Sequence, residues 1–457
     1  MSQTEVKNKL TKLISLHEKL ITFLQKHLND KQFLIISGVL VGLSSAIAAI
    51  LLKSMVYYIH NLLFPESGSI SPFIYSFFPL TGILITSVII QKTFKGKLGG
   101  GNAEIIYAVK KNESRLKRQL MYSHVITSAI TVGTGGSTGL ETPIVTTGAA
   151  IGSNYGKTYK VTTVDRTILL ACGVAAGIGA TFNAPIAGVL FAVEVLVSEI
   201  TVSSFIPILI AAASGAILSK IILNEDILLS FHLQEPFNYK NVPFYILLGL
   251  LAGFVSVYYI RVYSKIENML NRVKQKYFIQ KAILGGLILG GLILLFPQLF
   301  GEGYTSIKFL SDQSPYNGFK GSLLENFIST PALLMIFLTA IVLIKAIATG
   351  ITLGSGGNGG NFAPSLFMGA YLGFVFASLM NATGLFYLPV SNFTIVAMGG
   401  ILSGIFHAPL TGIFLIAEIT GGYDLIIPLM IVSALSFAVS KYLNEYSLDG
   451  MKLKNRL

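Results

Sequence analysis

The stretch Gly133-Thr-Gly-Gly-Ser-Thr-Gly-Leu-Glu-Thr-Pro143 returns later in the chain as Gly354-Ser-Gly-Gly-Asn-Gly-Gly-Asn-Phe-Ala-Pro364. Their first, third, fourth, seventh and last positions are identical. Both continue in step, with Gly148-Ala149 against Gly369-Ala370 and Gly152 against Gly373. Further on, Asn183-Ala-Pro-Ile-Ala-Gly188 matches His407-Ala-Pro-Leu-Thr-Gly412, and Glu194 matches Glu418. Upstream, Gly99-Gly-Gly101 pairs more weakly with Gly301-Glu-Gly303. One order of motifs at a nearly constant offset is an internal repeat. It divides the chain into an N-terminal segment at 1–32, a first half at 33–223, a second at 240–445 and a short tail at 446–457. The residues alone leave open whether the second half is inverted.

Composition sets the solvent of these halves. Of 457 residues, 53% are hydrophobic and 12% charged, and the mean hydropathy is +0.69. Soluble domains carry about 25% charged residues. A chain this apolar has more greasy surface than one water-soluble core can hide, so lipid is the expected solvent. The formal charge of +12 does not indicate nucleic acid. The basic residues gather between apolar runs, at Lys92, Lys95 and Lys97, at 110–118, at 261–276 and at 452–456, as they do in cytoplasmic loops. At the N-terminus, Lys7, Lys9, Lys12, Lys19, Lys26 and Lys31 alternate with Leu10, Leu13, Ile14, Leu20, Ile21 and Leu24. That pattern predicts an amphipathic helix on the cytoplasmic membrane surface, with both termini inside.

Several apolar runs approach the length of a spanning helix. Others are short and interrupted, at 143–152 after Pro143, 185–196 after Pro185, 364–374 after Pro364 and 409–418 after Pro409. Breaks at membrane depth persist only where protein or a polar cavity covers the exposed backbone. The expected fold is therefore an all-α polytopic membrane protein without β-sheet. Its broken helices, paired between repeats, mark a transport pathway.

The two Gly-rich segments supply the chemistry. Each leads into an apolar helix with proline in its first turn, where the missing N–H is harmless. A helix N-terminus carries about half a positive charge and free N–H donors. Two such ends converging would hold an anion without a fixed cation, and neither segment contains a basic residue. The competing account is close helix packing through small residues; a matched pair of segments favours the anion site. Glu141 is an ionisable group beside one helix start, and intramembrane carboxylates are costly and usually functional. Charged, it could occupy the anion's own place; neutral, it could swing aside. The simpler role is a capping carboxylate.

Other ionisable residues read as structural. Duplication of Glu194 and Glu418 suggests caps or interhelical hydrogen bonds. Lys345, in an apolar run, reads as a snorkelling or paired lysine near a helix end. Cys172 reads as a buried small side chain. The histidines are scattered without metal-site spacing, so neither a metal nor a cofactor is expected.

These motifs resemble the CLC family of chloride channels and chloride/proton exchangers, over residues 33–450. Gly99-Gly-Gly-Asn-Ala-Glu104 is similar to that family's Gly-Ser-Gly-Ile-Pro-Glu, and Gly139-Leu-Glu-Thr-Pro143 to its Gly-Lys/Arg-Glu-Gly-Pro. Gly360-Asn-Phe-Ala-Pro364 carries its Gly-x-Phe-x-Pro intact, and Phe182 to Gly188 its Phe-Asn-Ala-Pro-x-Ala-Gly. The resemblance implies antiparallel repeats of tilted and re-entrant helices, and a homodimer with one pore per subunit in a bacterial inner membrane. It implies that Glu141 is the gating glutamate. Anion contacts are implied near Gly100, from backbone N–H groups near Gly139, Leu140, Asn361, Phe362 and Ala363, and from the hydroxyl of Tyr446.

Departures shape the expected function. Gly100 stands where the family has a chloride-selecting serine, Leu140 where it has a basic residue, and Thr142 where it has a glycine. Val195 stands where its exchangers carry an inner proton-transfer glutamate. With a short tail at 446–457, the cytoplasmic CBS domains of many relatives are not expected. The expected partner is chloride or a similar small anion, passed in channel-like fashion with weak proton coupling. A chloride/proton antiporter is the near alternative, and a fluoride exporter stands further off. A membrane-embedded enzyme would need a nucleophile–base pair or metal cluster, and the sequence offers neither.

Overall fold

The computed structural model describes residues 28–64, 71–96, 98–196, 202–224, 236–311, 314–319, 322–328 and 330–454. The expected amphipathic helix at 1–32 lies almost wholly outside these residues, as does the end of the tail. Among the described residues, nine helices are long and apolar enough to cross a membrane.

The first half runs through α1 (Asp30–Leu63), α2 (Phe78–Phe94), α3 (Asn102–Lys111), α4 (Leu120–Gly133), α5 (Glu141–Thr158), α6 (Thr163–Phe182), α7 (Pro185–Phe191) and α8 (Val202–Leu223). The second runs through α9 (Val242–Asn271), α10 (Phe278–Leu295), α11 (Tyr304–Ser311), α12 (Pro331–Gly354), α13 (Phe362–Ala382), α14 (Val390–Phe406), α15 (Pro409–Ile419) and α16 (Ile426–Leu443). Helix α17 (Leu448–Lys454) follows. The two series correspond helix for helix.

The correspondence reaches individual backbone angles. Helices α6 and α14 both end on a left-handed residue, Asn183 and His407, each at φ 55°. Pro185 and Pro409 then start α7 and α15. The matched glycines Gly135 and Gly356 have φ 95° and 112°, a region that disfavours any side chain. Small residues let helices touch. A Cβ on Gly148 would strike the Gly173 backbone where α5 meets α6, and one on Gly369 would strike Met398 where α13 meets α14.

The halves also tie each other down reciprocally. The Glu194 carboxylate accepts from the backbone N–H of Leu410 (3.1 Å) and Thr411 (2.8 Å) at the start of α15. The Glu418 carboxylate accepts from Ile186 (3.1 Å) and Ala187 (2.8 Å) at the start of α7. Each half thus caps the other's short helix with the same residue, which matches the structural role expected for the duplicated pair.

Candidate functional site

The Gly-rich segments meet at their matched glycines. Gly139 N–H donates to the Gly360 carbonyl (3.0 Å), and Gly360 N–H donates to the Gly139 carbonyl (2.8 Å). This antiparallel bridge is the one isolated β-type pairing among the described residues. A residue paired with its own equivalent lies on a two-fold relation. Neighbouring bonds obey it: Ser137 N–H donates to Thr352 Oγ1 (3.2 Å), and its counterpart Asn358 N–H to Thr131 Oγ1 (3.0 Å). Helices α5 and α13 therefore begin side by side.

Glu141 occupies that junction. It is 2% exposed. Its Oε2 accepts from the Ala363 backbone N–H at the start of α13 (3.4 Å), and its Oε1 accepts from the Tyr304 hydroxyl (2.7 Å). The carboxylate fits because position 139 has no side chain; a Cβ there would collide with Oε2. The site is thus asymmetric, since the residue matching Glu141 is Phe362. Its ring packs near Phe182, Phe191 and Phe406, with centroids 5.6, 6.0 and 5.6 Å away.

Two vestibules flank this point. One, of about 570 Å³, is lined by Val56, His60, Tyr75, Glu302 and Tyr304 among others. The other, of about 700 Å³, is lined by Gly100, Asn102, Thr142, Asn361, Asp449 and Lys452 among others. Lys95, Lys274 and Lys281 also line the second, whereas among the described residues no lysine or arginine lines the first. Glu141 sits between Tyr304 of one vestibule and Thr142 of the other. An anion crossing from one to the other would meet its carboxylate.

Among the expected site residues, Glu141, Gly139, Leu140, Phe362 and Ala363 converge in the buried junction. Gly100 and Asn361 line the lysine-rich vestibule. Tyr446 lies elsewhere: it is 36% exposed, its ring sits 4.7 Å from the Lys454 ammonium, and it lines neither vestibule. Two other tyrosine hydroxyls reach the site, those of Tyr304 and of Tyr259, which donates to Asn361 Oδ1 (2.8 Å).

Three features had no sequence expectation or a different one. Tyr304 and Glu302 follow from the weak Gly301-Glu-Gly303 match, whose only signal was its place in the repeat. Glu302 Oε1 accepts from Leu140 N–H at the start of α5 (3.3 Å). Lys345 does not snorkel and is not near a helix end. It sits in the body of α12 with no exposed surface, donating to Ser137 Oγ (3.0 Å) and the Gly301 carbonyl (3.3 Å) above the Phe367 ring. A lysine side chain thus touches a Gly-rich segment that carries no basic residue of its own. Sequence periodicity could not reveal it, because the lysine arrives from another helix.

Comparisons with known proteins bear on the family and the fold. The family model described as Voltage gated chloride channel matches residues 81–441. The voltage-gated ClC-type chloride channel ClcB of Escherichia coli O17:K52:H18 is 31% identical over 284 residues. That match takes in 61% of this chain and spans 63% of the relative's length. A solved structure of a slow cyanobacterial Cl⁻/H⁺ antiporter superposes with TM-score 0.79 at 21% identity, covering 94% of this chain and 98% of its own. A CLC-type fluoride/proton antiporter superposes with TM-score 0.72 at 22% identity, covering 91% and 95%. At these identities the two structures speak for the fold alone.

Proposed function

The chain belongs to the voltage gated chloride channel family, and on that premise we propose that it carries chloride or a similar small anion past Glu141, channel-like or with weak proton coupling. The observation that supports this most is the hydrogen bond from Ala363 N–H to the Glu141 carboxylate, between two vestibules. A charged carboxylate there uses a donor that an anion would need. A proton taken up by Glu141 removes the competing charge, and the side chain can then leave. Leu140, Phe362 and Ala363 N–H groups hold the anion, whose partial-charge donors allow release as well as binding. The membrane setting follows the family and the nine apolar helices.

The lysine-lined vestibule faces the cytoplasm on the positive-inside argument, which puts both termini there, in a bacterial inner membrane. Exposed apolar residues on α7, α8, α15 and α16, such as Ile186, Ile206, Leu410 and Met430, suit a homodimer contact. Val195, partly buried against the core, gives no titratable group at the place of an inner proton relay. A chloride/proton antiporter is the second reading, favoured by the Tyr304 hydroxyl on Glu141 as a proton-bearing neighbour.

Chloride and pH electrodes on the same proteoliposomes test both readings. Chloride efflux that drives little proton counterflow supports the first. Uphill proton movement driven by a chloride gradient supports the second, and no anion flux of either kind overturns both.

A further inference from the structure

Glu302 is a site carboxylate to which the function proposed above gives no task. Its loop is pinned on two sides. Gly301 and Gly303 flank it at φ 63° and 94°. Gly301 N–H donates to the Gly135 carbonyl (2.9 Å), and the Gly301 carbonyl accepts from Lys345 Nζ (3.3 Å). From that fixed loop, the Glu302 side chain reaches out of the vestibule lined by His60 and Tyr75 to Leu140 N–H. The two convergent helix ends are therefore each held by a different carboxylate. Glu141 of the first half takes the α13 end at Ala363, and Glu302 of the second half takes the α5 end at Leu140.

Charge explains why Glu302 is there. Lys345 is fully buried, yet its two hydrogen-bond partners, Ser137 Oγ and the Gly301 carbonyl, are neutral. A buried cation without a counter-charge is costly. Glu302, next along the chain from Gly301, is the acidic group whose charge bears on it. The other charged or titratable neighbours of Glu302 are Glu141 on α5, Lys53 and His60 on α1, and Tyr304 and Tyr75. Of these, Lys53 donates to the Thr181 carbonyl (3.3 Å), and its charge bears on Glu302 together with that of Lys345.

The geometry points to Glu302 as a second gating carboxylate, which closes the α5 helix end to anions and opens it on taking up a proton from the vestibule it lines. A proton added to a Glu302 oxygen neutralises it and frees Leu140 N–H. The entering anion then replaces the lost negative charge opposite Lys345, so the pocket's net charge is the same before and after. When the anion leaves, the carboxyl returns its proton to the vestibule and closes again. Lys345 keeps the pocket attractive to one negative charge at a time, from carboxylate or from permeant anion.

This inference rests on the anion-transport reading, and its test separates the two. Chloride efflux from proteoliposomes of the full chain is measured against pH for wild type, Glu141→Gln and Glu141→Gln/Glu302→Gln. The glutamine at 141 removes the first carboxylate's titration. Acid activation should persist in Glu141→Gln and be lost in the double variant. Equal acid dependence in both, or none in Glu141→Gln, overturns the role of Glu302. Absence of wild-type flux would instead defeat the transport reading. Should the double variant fail to elute as folded protein, Glu141→Gln/Lys345→Met decides. Without the cation the carboxyl takes up a proton more readily, so activation should move to higher pH; an unmoved profile overturns the proposal.

Discussion

Gly139 and Gly360, equivalent residues of the two halves, exchange both of their backbone hydrogen bonds, at 3.0 and 2.8 Å. This bridge sets the starts of α5 and α13 beside each other, and the bare glycine at 139 makes room for the Glu141 carboxylate. Gly139→Ala should push that carboxylate off Ala363 N–H and, because the new Cβ would also crowd the Ala363 Cβ, ease the start of α13 slightly away from α5. The expected outcome is anion flux that responds less to acid than in wild type. An unaltered pH profile in a folded Gly139→Ala protein would separate the bridge from the gate.

The reciprocal caps make a prediction about stability rather than transport. Glu194→Ala removes the acceptor for two backbone N–H groups and the Thr411 hydroxyl, and Glu418→Ala removes the acceptor for two N–H groups. Loss of a cap costs about 0.5–2 kcal/mol. Each variant should therefore melt at a lower temperature in detergent while keeping its anion selectivity. A selectivity change in either would mean that the short helices do more than support the fold.

Tyr304 donates to Glu141, so its hydroxyl favours the charged carboxylate. A hydrogen bond to a charged group contributes about 1.5–3 kcal/mol, and one pH unit corresponds to about 1.4 kcal/mol. Tyr304→Phe should thus let Glu141 take up its proton more readily and move acid activation of chloride flux up by about one to two pH units. A midpoint that stays in place or falls would contradict the assigned bond.

Gly100 differs from its neighbours. Gly99 and Gly101 adopt φ 104° and 58°, whereas Gly100 is not among the glycines with positive φ. Gly100→Ser therefore meets no left-handed strain and puts a hydroxyl into the lysine-lined vestibule. The ratio of chloride to nitrate flux should rise. An identical ratio would show that this segment does not touch the permeating ion.

Much of this arrangement was legible in the sequence because glycine and proline mark backbone geometry directly. The matched segments at 133–143 and 354–364 gave the repeat, and their glycines and prolines gave the paired helix starts. Glu194 and Glu418 declared a structural role by recurring. Charge placement was less legible. Lys345 and Glu302 come from separate helices and loops, so no local pattern joins them, and the apolar run around Lys345 suggested a snorkelling or paired lysine near a helix end, where the structure has a partnered lysine in the body of α12. Glu302 could have been noticed as the one carboxylate inside the weaker Gly-x-Gly match. Tyr446 carries the resemblance of a pore tyrosine, but it precedes helix α17 and its ring lies against Lys454 of that helix, a contact that sequence spacing does not encode.

The central claim is that the Glu141 carboxylate competes with the permeant anion for the helix ends, and chloride efflux from proteoliposomes of Glu141→Gln, compared with wild type across pH, tests it most directly. Glutamine imitates the neutral side chain. The account predicts that Glu141→Gln passes chloride at neutral pH faster than wild type, with acid activation cut to the part that Glu302 contributes and with no coupled proton movement. Flux that keeps the full wild-type dependence on pH would contradict it and leave Glu141 as no more than a helix cap.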